Sequence, residues 1–242
     1  MAMFNQAGSL MRDVVTNLLK AALMECCSPR FVDKTVCHPC FEHAIREAEK
    51  DLDAFATKDP ASRGSMVAIA QGYTSYKAVA HYRLVRAMTL MIPTSEADKA
   101  ELDAGVFLIS SRGKLMSGAE IHARCQIGRR FVLDHGWGTV IGETAVLGDD
   151  CYVLGGVTLG ATGIAGNASG KRHPTLGNRV QVGAFSRIFG CVEIGDDVFI
   201  GPHCVIKEDV AAGSIVTLKT QLQITRGPQC RDVLNQLVTA AI

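Results

Sequence analysis

Two pairs of residues in the second half of the chain are suited to acid-base chemistry. Asp134 stands directly before His135, and Arg172 stands directly before His173. An imidazole, whose ordinary pKa is about 6.5, accepts a proton at neutral pH and returns it to a leaving group. A plainer interpretation, in which His135 only ends a turn on a solvated corner, has to be weighed against this one. The pattern of the surrounding chain decides between the two.

A six-residue repeat surrounds both pairs. An aliphatic residue recurs every six positions, glycine often follows it, and a second inward-type residue comes four positions after it. This double pattern is typical of a parallel β-helix, in which three short strands make one coil. The aliphatic positions are Ile121, Ile127, Leu133, Ile141, Leu147, Val153, Leu159, Leu176, Val182, Ile188, Ile194, Ile200 and Ile206, and the second positions are Cys125, Phe131, Ala145, Cys151, Val157, Val180, Ser186, Val192, Val198, Cys204 and Val210.

The repeat is interrupted twice, and each interruption holds one of the pairs. The step from Leu133 to Ile141 is eight residues in place of six. The step from Leu159 to Leu176 is seventeen residues, five more than two repeats, with the insert GATGIAGNASGKRHPT. Because loops that leave a rigid scaffold carry functional groups, we expect the site at these interruptions.

The first half of the chain has helical spacing. Its apolar residues recur every three or four positions from about residue 8 to residue 111, which predicts four to six helices. Asp59-Pro60 with Gly64 marks one turn, and residues 92–95 mark another. We therefore expect an α+β fold, with an α-helical domain over residues 1–112, a β-helix over 113–217 and a C-terminal tail over 218–242.

Composition narrows the partners. With 25 basic and 24 acidic residues the net charge is +1, which gives no electrostatic reason to bind nucleic acid or an anionic membrane. Polar residues interrupt the apolar N-terminal segment, which indicates neither a signal peptide nor a membrane span. Nine cysteines without a secretory signal favour reduced thiols and a cytoplasmic location.

The cysteines fall into two groups. Those of the repeat, Cys125, Cys151 and Cys204, occupy interior positions and are expected to pack. Near the N-terminus, Cys26 and Cys27 precede the C-x-x-C formed by Cys37 and Cys40, a spacing also found at zinc sites. Adjacent cysteines chelate one ion poorly, so we expect no metal.

At the two interruptions the sequence resembles the serine O-acetyltransferases. The resemblance lies in AEIHARCQIGRRFVLDHGWGTVIGETAVLGD, GGVTLGATG and KRHPTLGNRVQVGA, with a weaker match at KDPAS and GYTSYKAVAHYRLVR. It implies an N-terminal helical domain, a left-handed parallel β-helix, and trimers that often pair into hexamers. It also implies acetyl transfer from acetyl-coenzyme A to L-serine at a site between neighbouring β-helices.

The resemblance assigns roles to individual residues. His135 would be the general base, and Glu120 would take the place of the family's aspartate, which orients that histidine. Backbone N–H groups would stabilise the oxyanion. For the acceptor, Arg172 would bind the carboxylate, Asp59 and Asp134 would bind the ammonium, and His173 would complete the pocket. For coenzyme A, the implied turns are those at Thr162, Gly183, Ala184 and Gly201, with Lys207 and Lys219 as candidates for its phosphates.

The chain also departs from the family. Besides Glu120, the departures are Lys171 before the RHP motif, Pro202 after a late glycine, and Trp137 two residues after the expected base. The segment TLKTQLQITRG replaces the usual G-x-P-A-R. The last residue, Ile242, matches the family's C-terminal isoleucine, which binds O-acetylserine sulfhydrylase.

Three alternatives remain open at this point. One is a hexapeptide acyltransferase for another hydroxy amino acid, an amino sugar or an antibiotic. Another is a zinc hydro-lyase of the γ-carbonic anhydrase type, which needs two histidines close together, whereas the gaps between the four histidines of the repeat are 13, 38 and 30 residues. The third is a non-catalytic scaffold, for which Glu120 is the strongest argument.

Overall fold

The N-terminal part of the protein consists of six helices. The computed structural model describes residues 2–167 and 169–219, with side chains from Leu10 onward. Serine side chains cap three of the helices: Ser28, Ser65 and Ser95 each accept a backbone N–H from the first turn. The helices are α1 (Ala2–Cys26), α2 (Pro29–Cys37), α3 (Pro39–Lys58), α4 (Met66–Gly72), α5 (Thr74–Met88) and α6 (Glu96–Ser117).

Helix α5 lies at the centre of this part. Twelve of its fifteen residues are buried, and it packs between α3 and α6. A helix that is buried on nearly every side belongs to the interior of a domain. The predicted turns are confirmed, because α3 ends before Asp59 and α6 begins after Ser95. Helix α6 continues to Ser117 and ends at Gly118, whose φ of 72° suits glycine.

The second part is a parallel β-helix of about five coils. Its fourteen strands have two or three residues each, and every strand pairs in parallel with the strand one coil away. They are β1 (Glu120–Ile121), β2 (Gln126–Ile127), β3 (Val132–Asp134), β4 (Val140–Ile141), β5 (Val146–Leu147), β6 (Tyr152–Leu154), β7 (Thr158–Gly160), β8 (Thr175–Leu176), β9 (Gln181–Val182), β10 (Arg187–Phe189), β11 (Glu193–Ile194), β12 (Phe199–Ile200), β13 (Val205–Ile206) and β14 (Ile215–Val216).

The strands form three faces. The first face is β1-β4-β7-β10-β13, the second is β2-β5-β8-β11, and the third is β3-β6-β9-β12-β14. Coil 1 therefore contains β1 to β3, and each later coil adds one strand to each face, until coil 5 contributes β13, an isolated bridge at Val210 and β14. The predicted helical domain followed by a parallel β-helix is confirmed.

The repeat predicts the interior of the β-helix. All thirteen aliphatic positions are buried, and so are ten of the eleven second positions, with Val210 half-buried near the end. Cys125, Cys151 and Cys204 are among the buried residues, as expected for packing. The six-residue period therefore identifies the residues that fill the interior of the three-sided β-helix.

Buried polar contacts join the helices to coil 1. The Asp51 carboxylate on α3 accepts hydrogen bonds from Arg83 Nε (2.6 Å) and from the Phe131 backbone N–H (2.9 Å). Arg83, on α5, also donates to the backbone carbonyls of Ile127 and Gly128. Charged groups are rarely buried unless they are paired and hydrogen-bonded in this way. These contacts fix the first coil against the helical domain.

Two expectations concern residues at or beyond the end of the described chain. Ile242 and most of the predicted tail over 218–242 lie outside the described residues.

Among the helices that are described, none has a stretch long and apolar enough to cross a membrane.

Candidate active site

The first interruption forms an unusual corner between β3 and β4. At the regular corners that lead from the third face back to the first, one residue has the left-handed backbone conformation, with positive φ. It comes three positions after the buried aliphatic residue, and Phe185 and His203 are examples. After Leu133 that position is Gly136, and His135 is a further left-handed residue with φ of 61°. The Gly136 N–H closes a tight turn onto the Asp134 carbonyl at 2.7 Å. The His135 side chain projects outward and is 82% exposed.

Helix α5 supports this corner from behind. A Cβ on Gly136 would lie 3.2 Å from the Ser75 Cβ and 3.1 Å from Leu133 Cδ2, so only glycine fits between α5 and β3 without displacing a neighbour. A non-glycine residue at positive φ costs roughly 1–2 kcal/mol. Such strain persists only when the surrounding structure holds it, and α5 provides that support here.

Two carboxylates lie at the His135 corner, and each accepts a phenol hydrogen bond. Tyr152 OH donates to Asp134 Oδ2 and Tyr73 OH donates to Asp59 Oδ2, both at 2.9 Å. The other oxygen of Asp134 is 3.7 Å from His135 Nε2. The hydrogen bond to Asp59 raises the Tyr73 pKa, and burial followed by the hydrogen bond to Asp134 raises the Tyr152 pKa. Both phenols therefore remain protonated donors.

The second interruption places Arg172 and His173 on another corner, between the first and second faces. His173 Nδ1 accepts a hydrogen bond from the Thr144 backbone N–H (3.1 Å) and contacts Thr144 Oγ1 (2.8 Å). Glu143 accepts hydrogen bonds from Arg172 and from Arg124. These contacts order a guanidinium beside an imidazole at the edge of coil 2.

Burial and charge act together at this second corner. Burial, followed by the charge of Arg172, lowers the pKa of His173. The hydrogen bonds from Arg172 and Arg124 lower the pKa of Glu143. His173 is therefore a neutral imidazole, with Nδ1 accepting and the proton on Nε2, and Glu143 is an ionised carboxylate that holds Arg172 in place.

Glu120 begins β1 and pairs with Lys114 at the end of α6, with the ammonium 2.5 Å from Glu120 Oε2. Its backbone N–H bonds to the Thr139 carbonyl, just past the His135 corner. Within the described residues of one chain, no hydrogen bond joins Glu120 to His135. The pairing that the resemblance implies stays a prediction.

Trp137 lies in the same eight-residue step as His135. Its indole is 74% exposed and covers Gly118, where a Cβ would lie 2.3 Å from Trp137 Cε3. The Gly118 carbonyl accepts the Gly138 N–H, so the end of α6 and the His135 corner are joined by the backbone as well. An exposed indole therefore lies two residues after the expected base, at one of the positions where the chain departs from the family pattern.

The residues expected at coenzyme A divide between the two corners. Gly183 and Ala184 follow β9, two coils away from His135, and Gly201 follows β12, three coils away. All three lie on the same corner of the β-helix as His135. Thr162 lies instead on the corner of Arg172, at the start of the long insert. Lys207 follows β13 and is exposed, as is Lys219.

The structure thus forms two separate groups within one chain. Asp59, Asp134 and His135 come together at the first corner, and Arg172 and His173 come together at the second. Tyr73, Tyr152, Glu143 and Thr144 were not predicted from the sequence as site residues. Tyr73 and Glu143 lie inside the matching segments GYTSYKAVAHYRLVR and VIGETAV, whereas Tyr152 occupies an ordinary outward position of the repeat and gives no signal of its own.

The described residues form no cluster suited to a metal ion. In residues 2–167 and 169–219 no three His, Cys, Asp or Glu side chains lie together in a way that could hold an ion. Of the N-terminal cysteines, Cys40 is buried, Cys37 is exposed, and Cys26 and Cys27 are half-buried. Burial raises the pKa of Cys27 and of Cys40 to about 11, so both are thiols at neutral pH.

Known proteins of similar sequence include hexapeptide transferases and serine acetyltransferases. The bacterial transferase hexapeptide (six repeats) family matches residues 173–208. Over 175 residues the chain is 38% identical to a serine acetyltransferase of Helicobacter pylori, an alignment that covers 72% of this chain and 95% of that protein.

Solved structures of similar fold give the same result. A serine acetyltransferase of Neisseria gonorrhoeae in complex with serine superposes with a TM-score of 0.68 at 27% identity, covering 85% of this chain and 82% of that one. A serine acetyltransferase isoform 3 of Entamoeba histolytica in complex with cysteine superposes with a TM-score of 0.64 at 27% identity, covering 93% of this chain and 76% of that one.

Proposed function

The chain belongs to the serine acetyltransferase family, and we propose that it transfers the acetyl group of acetyl-coenzyme A to the hydroxyl of L-serine with His135 as the general base. The observation that carries this proposal is the corner after β3. There an additional left-handed residue presents an exposed imidazole beside two carboxylates that lie close together, Asp59 and Asp134. No other corner among the described coils has this combination.

The proton transfers follow from the position of His135. Its imidazole accepts the proton of the serine hydroxyl while that oxygen attacks the thioester carbonyl carbon. The tetrahedral intermediate then expels the coenzyme A thiolate, which takes the proton back from the imidazolium. The C–O bond forms, the C–S bond breaks, and the products are O-acetylserine and coenzyme A.

Glu120 is the proposed second member of the catalytic pair. It begins the strand next to the His135 corner, one coil away from β4, and its carboxylate is exposed. To orient His135, the Glu120 carboxylate must either bind His135 and Lys114 at the same time or give up its ion pair with Lys114. A glutamate side chain is one methylene longer than aspartate and provides the additional reach.

Recognition of the acceptor is proposed to use both corners. Asp59 and Asp134 provide negative charge without a paired lysine or arginine among the described residues, which suits an ammonium group. Arg172, held by Glu143, provides a guanidinium that binds a carboxylate through two hydrogen bonds. An amino acid with a free amino group and a free carboxylate satisfies both.

Because the two groups lie on different corners of one chain, we propose that a neighbouring chain completes the site. In a homotrimer the His135 corner of one β-helix faces the Arg172 corner of the next. This arrangement also accounts for the exposure of the His135 ring in a single chain.

Acetyl-coenzyme A is proposed to lie along the His135 corner. Successive coils are about 4.8 Å apart, so the turns at Gly183 and Gly201 lie ~10 Å and ~14 Å from the level of His135 along the axis. Gly183 has no room for a side chain, because a Cβ there would lie 2.6 Å from the Pro202 nitrogen. Glycine lets the turn of the next coil pack directly on this one, and the proposed course of the pantetheine arm runs over these turns.

The direct test is the release of free thiol from acetyl-coenzyme A with serine, with homoserine or without an acceptor. We expect release to depend on serine. Replacing His135 with asparagine should lower kcat by at least ~100-fold, the smaller end of the effect of a general base. Asparagine tolerates positive φ better than most residues, so the His135→Asn variant keeps the corner and removes only the base.

A matched control is available in the same chain. His203 has the same φ of 61° on the same edge of the β-helix, three coils away. Because His203 lies in a turn that is proposed to contact acetyl-coenzyme A, activities are compared as kcat at saturating acetyl-coenzyme A, and His203→Asn should keep this kcat within a small factor of the wild type. If the wild-type protein released no thiol with serine, or if His135→Asn were as active as His203→Asn, the proposal would be wrong.

A further inference from the structure

Tyr152 connects two coils at the predicted acceptor site. It lies on β6 in coil 2, paired in register with Val132 of β3, and its hydroxyl reaches along the third face to Asp134 Oδ2 at 2.9 Å. Tyr152 is half-buried, so the phenol is held by its own packing. The Asp134 carboxylate therefore has one oxygen fixed by the phenol and the other directed toward His135 Nε2 at 3.7 Å.

Asp134 has no other side-chain partner among the residues that the structure describes. Asp59, by comparison, has both oxygens occupied, one by Tyr73 OH and one by the Ala61 N–H at 2.8 Å. Asp59 is thus held by its own turn as well as by a phenol, whereas the orientation of Asp134 depends on Tyr152. Removal of one phenol should accordingly affect the two carboxylates differently.

We propose that Tyr152 is a positioning residue that fixes Asp134, so that Oδ1 faces both His135 and the ammonium group of the acceptor. This inference rests on the proposed function. Tyr152 acts through Asp134 and does not touch the reacting atoms. A hydrogen bond to a charged group also keeps the carboxylate from turning toward solvent.

Loss of the Tyr152 hydroxyl should change KM for serine and leave KM for acetyl-coenzyme A nearly unchanged. A carboxylate that turns freely binds the acceptor ammonium less well, so Tyr152→Phe should raise KM for serine by about tenfold, the equivalent of one hydrogen bond to a charged group. KM for acetyl-coenzyme A should stay within a factor of about two, because Tyr152 acts on the carboxylate that binds the acceptor ammonium and not on the turns at Gly183 and Gly201 that are proposed to hold the coenzyme. A role limited to packing would instead lower the folded fraction and leave both KM values unchanged.

A double-mutant cycle tests the route of the effect. If Tyr152 acts through Asp134, Tyr152→Phe should add little to the loss already caused by Asp134→Asn. Tyr76→Phe is the matched control, because its buried hydroxyl bonds to the Ala48 carbonyl at 3.1 Å and its loss should lower stability without changing KM for serine.

The outcomes are distinguishable from a failure of the proposed function. A wild-type protein without serine-dependent thiol release would overturn the function and this inference together. An active wild type with an unchanged KM for serine in Tyr152→Phe, or with fully additive losses in the cycle, would overturn this inference alone.

Discussion

A single methyl group at Gly142 should disable the Arg172 corner. Gly142 follows β4, and a Cβ on it would lie 2.1 Å from His173 Cδ2 and 2.2 Å from His173 Nε2. Carbon atoms in contact stay about 3.5–4.0 Å apart, so the ring would have to move by more than ~1 Å. The backbone φ of Gly142 is not positive, so alanine adds no strain of its own.

The size of the effect follows from what the ring would lose. His173 Nδ1 makes two contacts to Thr144, and each hydrogen bond contributes about 0.5–1.5 kcal/mol. Gly142→Ala should therefore lower the free energy of unfolding by ~1–3 kcal/mol. Displacing a site group by about 1 Å costs on the order of 100-fold in rate, so kcat/KM for serine should fall by about that factor.

Initial rates of thiol release at varied serine, together with urea denaturation, measure both effects. Gly72→Ala is the control, since nothing lies within 4 Å of a Cβ at Gly72. Without the His173 ring the methyl has room, so Gly142→Ala combined with His173→Ala should be no less stable than His173→Ala alone. A Gly142→Ala variant with wild-type kcat/KM and stability would refute the argument.

Two further predictions concern the assembly and its response to acid. Mixing His135→Asn chains with Arg172→Ala chains after joint refolding should restore part of the thiol release, because every mixed trimer contains one intact site; no restoration in verified mixed trimers would contradict a shared site. Burial lowers the pKa of His81 from 6.5 to about 4, so the unfolded chain binds a proton in this range that the folded chain does not. Stability should therefore be complete above pH 6.5 and fall by ~3 kcal/mol as the pH drops to about 4, and a flatter urea midpoint against pH in His81→Gln would confirm the source, whereas an unchanged slope would contradict it.

The sequence predicts the β-helix in detail because the fold is locally determined. Each coil buries the residues that its own repeat specifies, so Leu133 and Ile141 are identified as interior residues without knowledge of any distant contact. The same counting locates both interruptions. It also predicts that the chain leaves the regular wall between Leu133 and Ile141, because two additional residues have to fit between two buried aliphatics, whereas the left-handed backbone of His135 is seen only in the structure.

Contacts between coils and between domains are not encoded in this way. Tyr152 looks like any outward residue of the repeat, and only the register between β3 and β6 brings its hydroxyl to Asp134. The pairing of Glu120 with Lys114 likewise depends on where α6 ends. Each depends on side-chain direction and on packing between segments, which a single sequence leaves undetermined.

The contacts of Asp51 and Arg83 with coil 1 have a consequence for modularity. A solenoid has two open ends, and exposed strand edges at an end invite other chains to pair with them. Here α5 and α6 cover the end formed by β1 and β3, and Asp51 satisfies a backbone N–H of the β-helix itself. The helical domain therefore covers the N-terminal end of the β-helix that follows it. A β-helix that began at residue 118 would expose an unpaired strand edge and would lose the support of α5 at the His135 corner, so we expect the helices and the β-helix to unfold together.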